Sequence, residues 1–136
     1  MDLMRTISIA ASGLKAESGR MRVISENLAN ADSTARTPGG DPYRRKIPTF
    51  DSKLDNELDA RVVTLGRIVR DKTDFRLEYE PGNPIADAKG YVKMPNVNPL
   101  VEQMDMREAQ RAYEANLNVI GAARRMIART LDILRG

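Results

Sequence analysis

The sequence predicts an α+β fold, in which long N- and C-terminal helices pack as a coiled-coil-like pair with a small β-rich middle insertion. Apolar residues recur in alternating steps of four and three at both ends of the chain, which is the spacing of helices that pack lengthwise. Between these ends lie turn signals and short alternating runs. We therefore expect one assembly subunit with an N-terminal axial helix at 1–31, a loop- and β-rich insertion at 32–98 and a C-terminal axial helix at 99–136.

The N-terminal segment has the pattern of one long helix. Asp2 is a suitable N-cap, and eight of the nine positions spaced by four and three from Leu3 to Ala31 are apolar. Gly13 and Gly19 each weaken the helix locally by roughly 1 kcal/mol relative to alanine. The large residues that we expect to form the packing seam of this helix are Leu3, Ile7, Leu14, Met21, Ile24 and Leu28.

The helix runs into a polar cluster, "ISENLANADST" at residues 24–34. Short polar side chains such as those of Asn30, Asp32 and Ser33 bond to nearby backbone groups and so end helices. This interpretation explains why the helix stops. It does not explain why a second asparagine, Asn27, precedes Leu28 and Ala29.

The C-terminal segment repeats the helical rhythm of the first. Asn98 fits an N-cap and Pro99 fits the first helical position, where a missing N–H has no cost. Glu102 near the start and Arg135 near the end suit the helix dipole. The large residues that we expect in the packing seam of this helix are Met106, Tyr113, Leu117, Ile120, Ile127, Leu131 and Leu134.

The middle insertion is predicted to contain short strands and turns. Residues 37–46 combine turn chemistry with a basic strand start, and 81–84 form a turn. Residues 61–71, 75–80 and 90–95 look like short strands or extended pieces. Five of the six aromatic residues lie in this section, so we expect any small β core to be here.

Two charged runs in the insertion are better interpreted as solvent-exposed segments than as a metal site or a nucleic-acid patch. The acidic run "DSKLDNELD" at 51–59 has no EF-hand spacing, and we interpret it as a solvated loop. The basic run "RRK" at 44–46 is too short for a nucleic-acid patch. We interpret it as a solvated strand edge, with contact to an acidic partner as the alternative.

Composition excludes several classes of function. The chain has no His and no Cys, which removes imidazole bases, thiolate nucleophiles and the usual zinc ligands. The 22 basic and 19 acidic residues are nearly balanced in every section, so no concentrated basic field exists for nucleic acid. No Walker spacing occurs. We expect no enzyme, no catalytic residue, no metal and no cofactor.

No apolar run approaches the roughly 18 residues that a membrane span needs. The N-terminus also lacks the form of a signal peptide, because Asp2 is acidic and the apolar positions are spaced. We therefore expect no direct membrane span. The chain either stays in the cytoplasm or leaves by a route that cleaves no signal.

One stretch resembles a known motif. "AASGLKAESGRMRVISENLANADST" is similar to the N-terminal motif of bacterial flagellar axial proteins of the rod and hook. In that motif an amphipathic helix carries Ala-x-x-Gly-Leu and ends in Asn-x-x-Asn. The residues of this chain that match the axial motif are Gly13, Leu14, Asn27, Leu28, Ala29 and Asn30.

Later stretches make the resemblance more specific. "GGDPYRRK", "YEPGNPIADAKGYVKMPNVN" and "EQMDMREAQRAYEANLNVI" resemble the C-type proximal rod subunits of the flagellar basal body. Asn83 and Ile85 depart from the His and acidic residue expected in that frame. The stretch Ser25-Glu26-Asn27 stands where rod proteins often carry a second Asn. The middle motif comprises Gly40, Asp41, Tyr43, Tyr79, Pro81, Gly82, Gly90, Tyr91, Val92, Pro95 and Asn96.

The resemblance implies a structural subunit of the proximal rod, which assembles through its terminal helices into a helical tube that transmits torque. It implies export without a cleaved signal, through the type III apparatus, to the rod in the periplasm. The implied partners are copies of the chain, other rod subunits, and the membrane ring and rod-adapter proteins of the basal body, with no nucleic acid. The alternatives are a soluble coiled-coil adaptor and another flagellar axial protein.

Overall fold

The computed structural model, which describes residues 2–136, confirms the predicted fold class: two long terminal helices pack together, with a small β-rich region between them in sequence. The elements in chain order are α1 (Leu3–Ala29), β1 (Lys46–Ile47), β2 (Phe50–Asp55), β3 (Ala60–Leu65), β4 (Val69–Arg70), β5 (Arg76–Tyr79), β6 (Tyr91–Met94) and α2 (Pro99–Arg135).

Both helices begin at the predicted N-caps. The Asp2 carboxylate accepts a hydrogen bond from the backbone N–H of Met4 at 3.0 Å, and the Asn98 side chain accepts one from Leu100 at 3.1 Å. Each bond satisfies an amide that has no partner within the first helical turn. Helix α1 ends at Ala29, just before the boundary that we expected at residue 31.

The strands form three antiparallel pairs, β1 with β4, β2 with β3, and β5 with β6. The predicted strand at 61–71 is divided, because β3 ends at Leu65 and Gly66 donates a backbone hydrogen bond to Thr49. The prediction of a loop throughout 51–59 was wrong. Residues 50–55 form β2, which accommodates its charged residues because its side chains are almost all exposed.

Contacts divide the chain into two compact units. One consists of Pro48–Arg67, Arg107–Gly136 and the N-terminal segment as far as Met21. In this unit the two helices run antiparallel, since Gly13 faces Asn116 and Arg20 forms an ion pair with Glu108 at 3.4 Å. The buried helix positions of this unit carry small residues, which are Ala10, Ala16, Ala109 and Ala123.

The β2–β3 hairpin belongs to the same unit and rests on α1. The backbone N–H of Val63 donates to the hydroxyl of Ser12 at 3.3 Å, and the side chain of Leu65 lies against Gly19. Val62 is buried. The base of the hairpin is thereby fixed to the helix.

The second unit consists of Arg22–Ile47 and Ile68–Met106. Its buried apolar side chains are all non-aromatic, and they include Val23, Ile24, Ala31, Val92, Met94 and Val97. No aromatic residue is among the buried side chains of this unit. Tyr79 and Tyr91 pack against each other on the exposed face of the β5–β6 pair, with their ring centres 5.2 Å apart. The centre of the unit also contains two buried polar side chains, those of Asn27 and Glu102.

Candidate functional site

Asn27, at the C-terminal end of α1, is completely buried. Its amide nitrogen donates to the backbone carbonyl of Lys46 at 2.8 Å and to the carboxylate of Glu102 at 3.2 Å. Its amide oxygen accepts from the backbone N–H of Lys46 at 2.9 Å and from the Tyr43 hydroxyl at 2.8 Å. The side chain therefore pairs with the backbone of β1 in both directions, as a neighbouring strand would, and fastens the helix end to it.

Glu102, in the first turn of α2, is 1% exposed and forms an ion pair with the guanidinium of Arg45. Arg45 also lies 3.4 Å from the carboxylate of Asp71 and 3.6 Å from that of Asp105. Burial alone would lower the pKa of Arg45, but the hydrogen bonds and charges of Glu102 and Asp71 outweigh it and raise that pKa. The buried carboxylate thus has a permanent cationic partner, which a buried charge requires.

Tyr43 and Asp71 complete the cluster with fixed protonation states. Burial, together with the negative charges of Glu26 and Glu102, raises the pKa of Tyr43 to about 12, so its hydroxyl remains a donor to Asn27 at neutral pH. A hydrogen bond from the backbone N–H of Thr73, at 2.9 Å, and the neighbouring Arg45 lower the pKa of Asp71. We refer to Asn27, Tyr43, Arg45, Asp71 and Glu102 as the polar cluster.

The prediction that residues 44–46 form a solvated strand edge was wrong. Arg45 belongs to the polar cluster, and Lys46 forms an ion pair with Glu26. The guanidinium of Arg44 donates to the backbone carbonyls of Asp71 and Thr73 and lies 4.2 Å from the centre of a phenylalanine ring, that of Phe75. The three cations are used within the chain because acidic groups and carbonyls from distant segments converge on them.

Asn30 has the role that its sequence position indicated. Its side chain donates to the backbone carbonyl of Glu26 at 2.8 Å and accepts from the hydroxyl of Ser33 at 3.1 Å, which satisfies groups at the end of α1. The two asparagines of the axial motif therefore have different roles. Asn30 ends helix α1, and Asn27 fastens the end of that helix to strand β1. Leu28 is half-buried and Ala29 is exposed.

The middle motif contributes a second connecting amide. The side chain of Asn96 accepts from the backbone N–H of Arg45 at 2.7 Å and donates to the carbonyls of Asp71 and Thr73. Val92 and Pro95, its neighbours in the motif, are buried. This part of the motif holds the segments that carry the polar cluster.

Other residues of the middle motif form turns at the surface. Gly90 has a φ of 85°, and a Cβ atom there would lie 3.0 Å from the ring of Tyr79 and 3.1 Å from Pro81, so the position favours glycine. Gly82 lies in the same connection, with open space around it. The carboxylate of Asp41, which follows the half-buried Gly40, pairs with Lys93 at 3.1 Å.

The predicted seam residues differ in burial within the chain. In α1, Ile24 is buried, and Leu3, Ile7, Leu14, Met21 and Leu28 are half-buried. In α2, Met106, Tyr113, Ile120 and Ile127 are half-buried. Leu117, Leu131 and Leu134 are 45%, 50% and 78% exposed. Large apolar side chains near the end of α2 therefore have little cover from the chain itself.

No pattern in the sequence predicted that Glu102, Arg45 and Asp71 form one cluster. Glu102 was assigned to the helix dipole, and the basic run was assigned to solvent. The available signal was the position of the run at a strand start, with an isolated acid in the first turn of a helix. Across residues 2–136, no group of three or more His, Cys, Asp or Glu side chains could hold a metal ion. None of the helices in this range has the length and apolar character that crossing a membrane requires.

Comparisons with known proteins agree along the chain. A family model described as "Flagella basal body rod protein" matches residues 7–36, and one described as "Flagellar basal body rod FlgEFG protein C-terminal" matches residues 88–133. The flagellar basal-body rod protein FlgC of Agrobacterium fabrum is 54% identical over 127 residues, which are 93% of this chain and 91% of the relative. FlgC of Escherichia coli O6:H1 is 41% identical over 133 residues, with 98% of each chain covered. FlgC of Borreliella burgdorferi is 40% identical over 153 aligned positions, with 100% of each covered.

The two family models match segments that contain most of the two terminal helices, so the chain is similar at both ends to flagellar basal-body rod proteins. Relatives named FlgC match it over nearly its full length. The chain belongs to the FlgC family of flagellar basal-body rod proteins.

Proposed function

We propose that this chain is a structural subunit of the proximal rod of the bacterial flagellar basal body. The observation that carries the proposal is its similarity, over nearly the whole length, to relatives named as flagellar basal-body rod proteins. Its terminal helices pack against copies of the chain and against other rod subunits to form a helical tube. The tube transmits torque through rigid packing, a role that requires no catalysis.

The exposed part of the C-terminal seam supports this mode of assembly. Leu117, Leu131 and Leu134 leave apolar surface open to water. Covering such a side chain contributes about 1.5–3 kcal/mol, so neighbouring helices that cover several of them gain substantial stability. Contacts between different surfaces of identical subunits build an open tube or filament when the rotation between subunits does not close into a ring.

The polar cluster supports torque transmission. Asn27, Arg45 and Glu102 join the end of α1, strand β1 and the start of α2 through buried hydrogen bonds and an ion pair. A buried network in which the groups find partners holds its elements in one arrangement. We infer that this joint resists twisting between the helices and the segments attached to them.

Membership of the same family also supports a proposal for where the chain is located and how it reaches that location. We propose that the chain is exported without a cleaved signal by the flagellar type III apparatus and assembles in the periplasm, where it contacts the membrane ring and rod-adapter proteins of the basal body. We propose that its partners are proteins and not nucleic acid, and none of the helices within residues 2–136 is long and apolar enough to cross a membrane. The near balance of 22 basic and 19 acidic residues supports protein partners over polyanions.

The test is the intact mass of the subunits recovered from purified basal bodies. We expect a species of 15.2 kDa with an uncleaved N-terminus, and its loss from basal bodies when the chain is deleted. If the chain is missing from clean basal bodies and occurs instead as a discrete oligomer in solution, the rod function is wrong and a coiled-coil adaptor is favoured.

A further inference from the structure

The tip of the β2–β3 hairpin carries acidic groups that form no ion pair and an apolar group that is exposed. The carboxylate of Asp55 accepts hydrogen bonds from the backbone N–H groups of Glu57 and Leu58 at 3.0 and 3.3 Å, which leaves its negative charge unpaired. Asp55, Glu57 and Asp59 lie in or beside the connecting turn, and none of them forms an ion pair within residues 2–136. Leu54 beside them is 52% exposed, and Val63 on the same face of the hairpin is 41% exposed. We call Leu54, Asp55, Glu57 and Asp59 the acidic tip.

Strand β4 and the residues that flank it have the opposite character. Ile68 and Val69 are 41% and 42% exposed, and the exposed side chains of Arg70 and Lys72 have no carboxylate partner in the described part of the chain. We call Ile68, Val69, Arg70 and Lys72 the basic strand. It combines apolar surface with unpaired positive charge.

The pairing of β1 with β4 leaves a charge conflict at this strand. Lys46 lies directly opposite Arg70 in the antiparallel register, and like charges at opposed positions destabilise a strand pair. Lys46 is neutralised by Glu26, whereas Arg70 has no corresponding acid. An external carboxylate placed at Arg70 would relieve this repulsion.

We propose that the acidic tip of one copy docks on the basic strand of a second copy. In this contact Glu57 and its neighbouring acids meet Arg70 and Lys72, and Leu54 covers Ile68 and Val69. The complementary charges favour this pair of surfaces over self-pairing of either one, because like charges repel. The two surfaces are different parts of one sequence, so the contact is head-to-tail and can repeat without closing.

This inference rests on the proposed function and adds to it a specific contact between subunits. It assigns the partner of the hairpin as another copy of this chain. Crosslinking distinguishes this contact from two alternatives, which are that the hairpin contacts a different rod protein or that it contacts no partner.

Crosslinking is a clean test because the chain contains no cysteine. The full-length double variant Glu57→Cys/Arg70→Cys replaces the wild-type chain in cells, and a short bismaleimide is added to purified basal bodies. A bismaleimide is preferable to a disulfide because the long side chains of a Glu–Arg pair hold the backbones too far apart for a direct bond between sulfurs. We expect a ladder of products at multiples of the single-chain mass of 15.2 kDa.

The matched control is Glu57→Cys/Lys89→Cys, which places the second thiol on another exposed lysine. We expect this control variant to give no ladder of crosslinked products. A second comparison reverses the charges: Glu57→Lys should lower the number of subunits per basal body, and Glu57→Lys/Arg70→Glu should restore it to the wild-type level.

The outcomes separate this contact from the proposed function. If the double-cysteine chain is present in basal bodies but yields no ladder, or is crosslinked only within one chain, the docking proposal is overturned and the rod function stands. A product that contains one copy of this chain and a different protein overturns the choice of a second copy. If the wild-type chain is absent from basal bodies, both proposals fail.

Discussion

Asn27 shows how one side chain can connect elements that are distant in sequence. It bonds to backbone 19 residues away and to a carboxylate 75 residues away, while remaining fully buried. A buried amide is tolerated only when its donors and acceptors find partners, and here both ends of the amide do. The position therefore requires the shape of asparagine as well as its polarity.

The first prediction compares the two asparagines of the axial motif. Asn27→Ala should lower the free energy of unfolding by about 3 kcal/mol, because the backbone of Lys46, the Tyr43 hydroxyl and one carboxylate oxygen of Glu102 all lose a hydrogen-bond partner. Asn30→Ala is the matched control and should cost only about 1 kcal/mol, since Asn30 is half-buried and bonds locally. Urea unfolding followed by circular dichroism measures both. Equal losses for the two variants would contradict the docking role of Asn27.

Glu17 supports a second prediction, which concerns pH. Burial raises the pKa of this carboxyl, Glu108 adds to the effect, and Arg20 at 3.6 Å opposes it. Because the folded-state pKa is raised, the stabilising effect of the protonated acid is fully present below about pH 4.5 and is lost as the pH rises through the folded value. At neutral pH the ionised carboxylate therefore destabilises the fold.

Glu17→Gln should accordingly stabilise the chain at pH 7, by about 0.5 kcal/mol in a partly solvated site. The difference should shrink towards zero at pH 4, where Glu17 is itself protonated. Thermal unfolding of both proteins at the two pH values measures the change. Glu114→Gln, at an exposed position on α2, is the control and should change stability little at either pH. A loss of stability at pH 7 in the Glu17 variant would show that its pairing with Arg20 outweighs burial.

At the scale of whole elements, the helices approach closely where their residues are small. A Cβ atom at Gly13 would lie 2.8 Å from the side-chain amide of Asn116, which donates to the backbone carbonyl of Ala112. Ala109 and Ala123 are buried on the same helix. Close packing of this kind requires the absence of a side chain more than it requires flexibility.

Gly13→Ala tests this explanation against helix propensity. Alanine would favour an isolated helix by about 1 kcal/mol, but the clash with Asn116 should outweigh this gain and destabilise the chain by about 1–2 kcal/mol. The double variant Gly13→Ala/Asn116→Ala removes the obstructing amide and should recover most of the loss. Urea unfolding of the two single variants and the double variant provides the cycle. If Gly13→Ala alone is stabilising, the helices are not constrained at this point.

The helices and their starts could be predicted from the sequence, whereas the contacts of the insertion could not. The period of apolar residues and the caps at Asp2 and Asn98 are local signals. The polar cluster depends on segments that are distant in sequence, so no local pattern contains it. Strand β2 was missed for a related reason: its charged residues resemble a loop, and its pairing with β3 supplies the order that its composition does not indicate.

At the scale of the whole molecule, the distribution of exposed apolar surface indicates which part of the helices is available for contact with other subunits. The buried positions of α2 carry Glu102 and two alanines, whereas its last two turns present Leu131, Ile133 and Leu134 at 50%, 81% and 78% exposure. Exposed apolar residues that form a contiguous patch on one element are typical of a surface that binds another protein. We therefore expect the end of α2 to matter more for assembly than for the folding of one chain.

The variant Leu131→Gln/Leu134→Gln tests this expectation with residues that favour helices. Its helical content and stability should match those of the wild type, because both side chains are already exposed. Its assembly should weaken sharply: losing about 1.5–3 kcal/mol for each covered leucine lowers an association constant at least about a hundredfold. The measurement is the number of subunits per purified basal body.

Arg129→Gln/Asp132→Gln is the control for changes at the end of α2, since it alters two exposed polar positions of the same helix and leaves the net charge unchanged. It should assemble normally. If the leucine variant also assembles normally, the end of α2 is not buried between subunits, and assembly must depend on other surfaces. If the leucine variant instead loses its helix, these residues stabilise the single chain, contrary to their exposure. Only a folded chain that fails to enter basal bodies agrees with an assembly role for the end of α2.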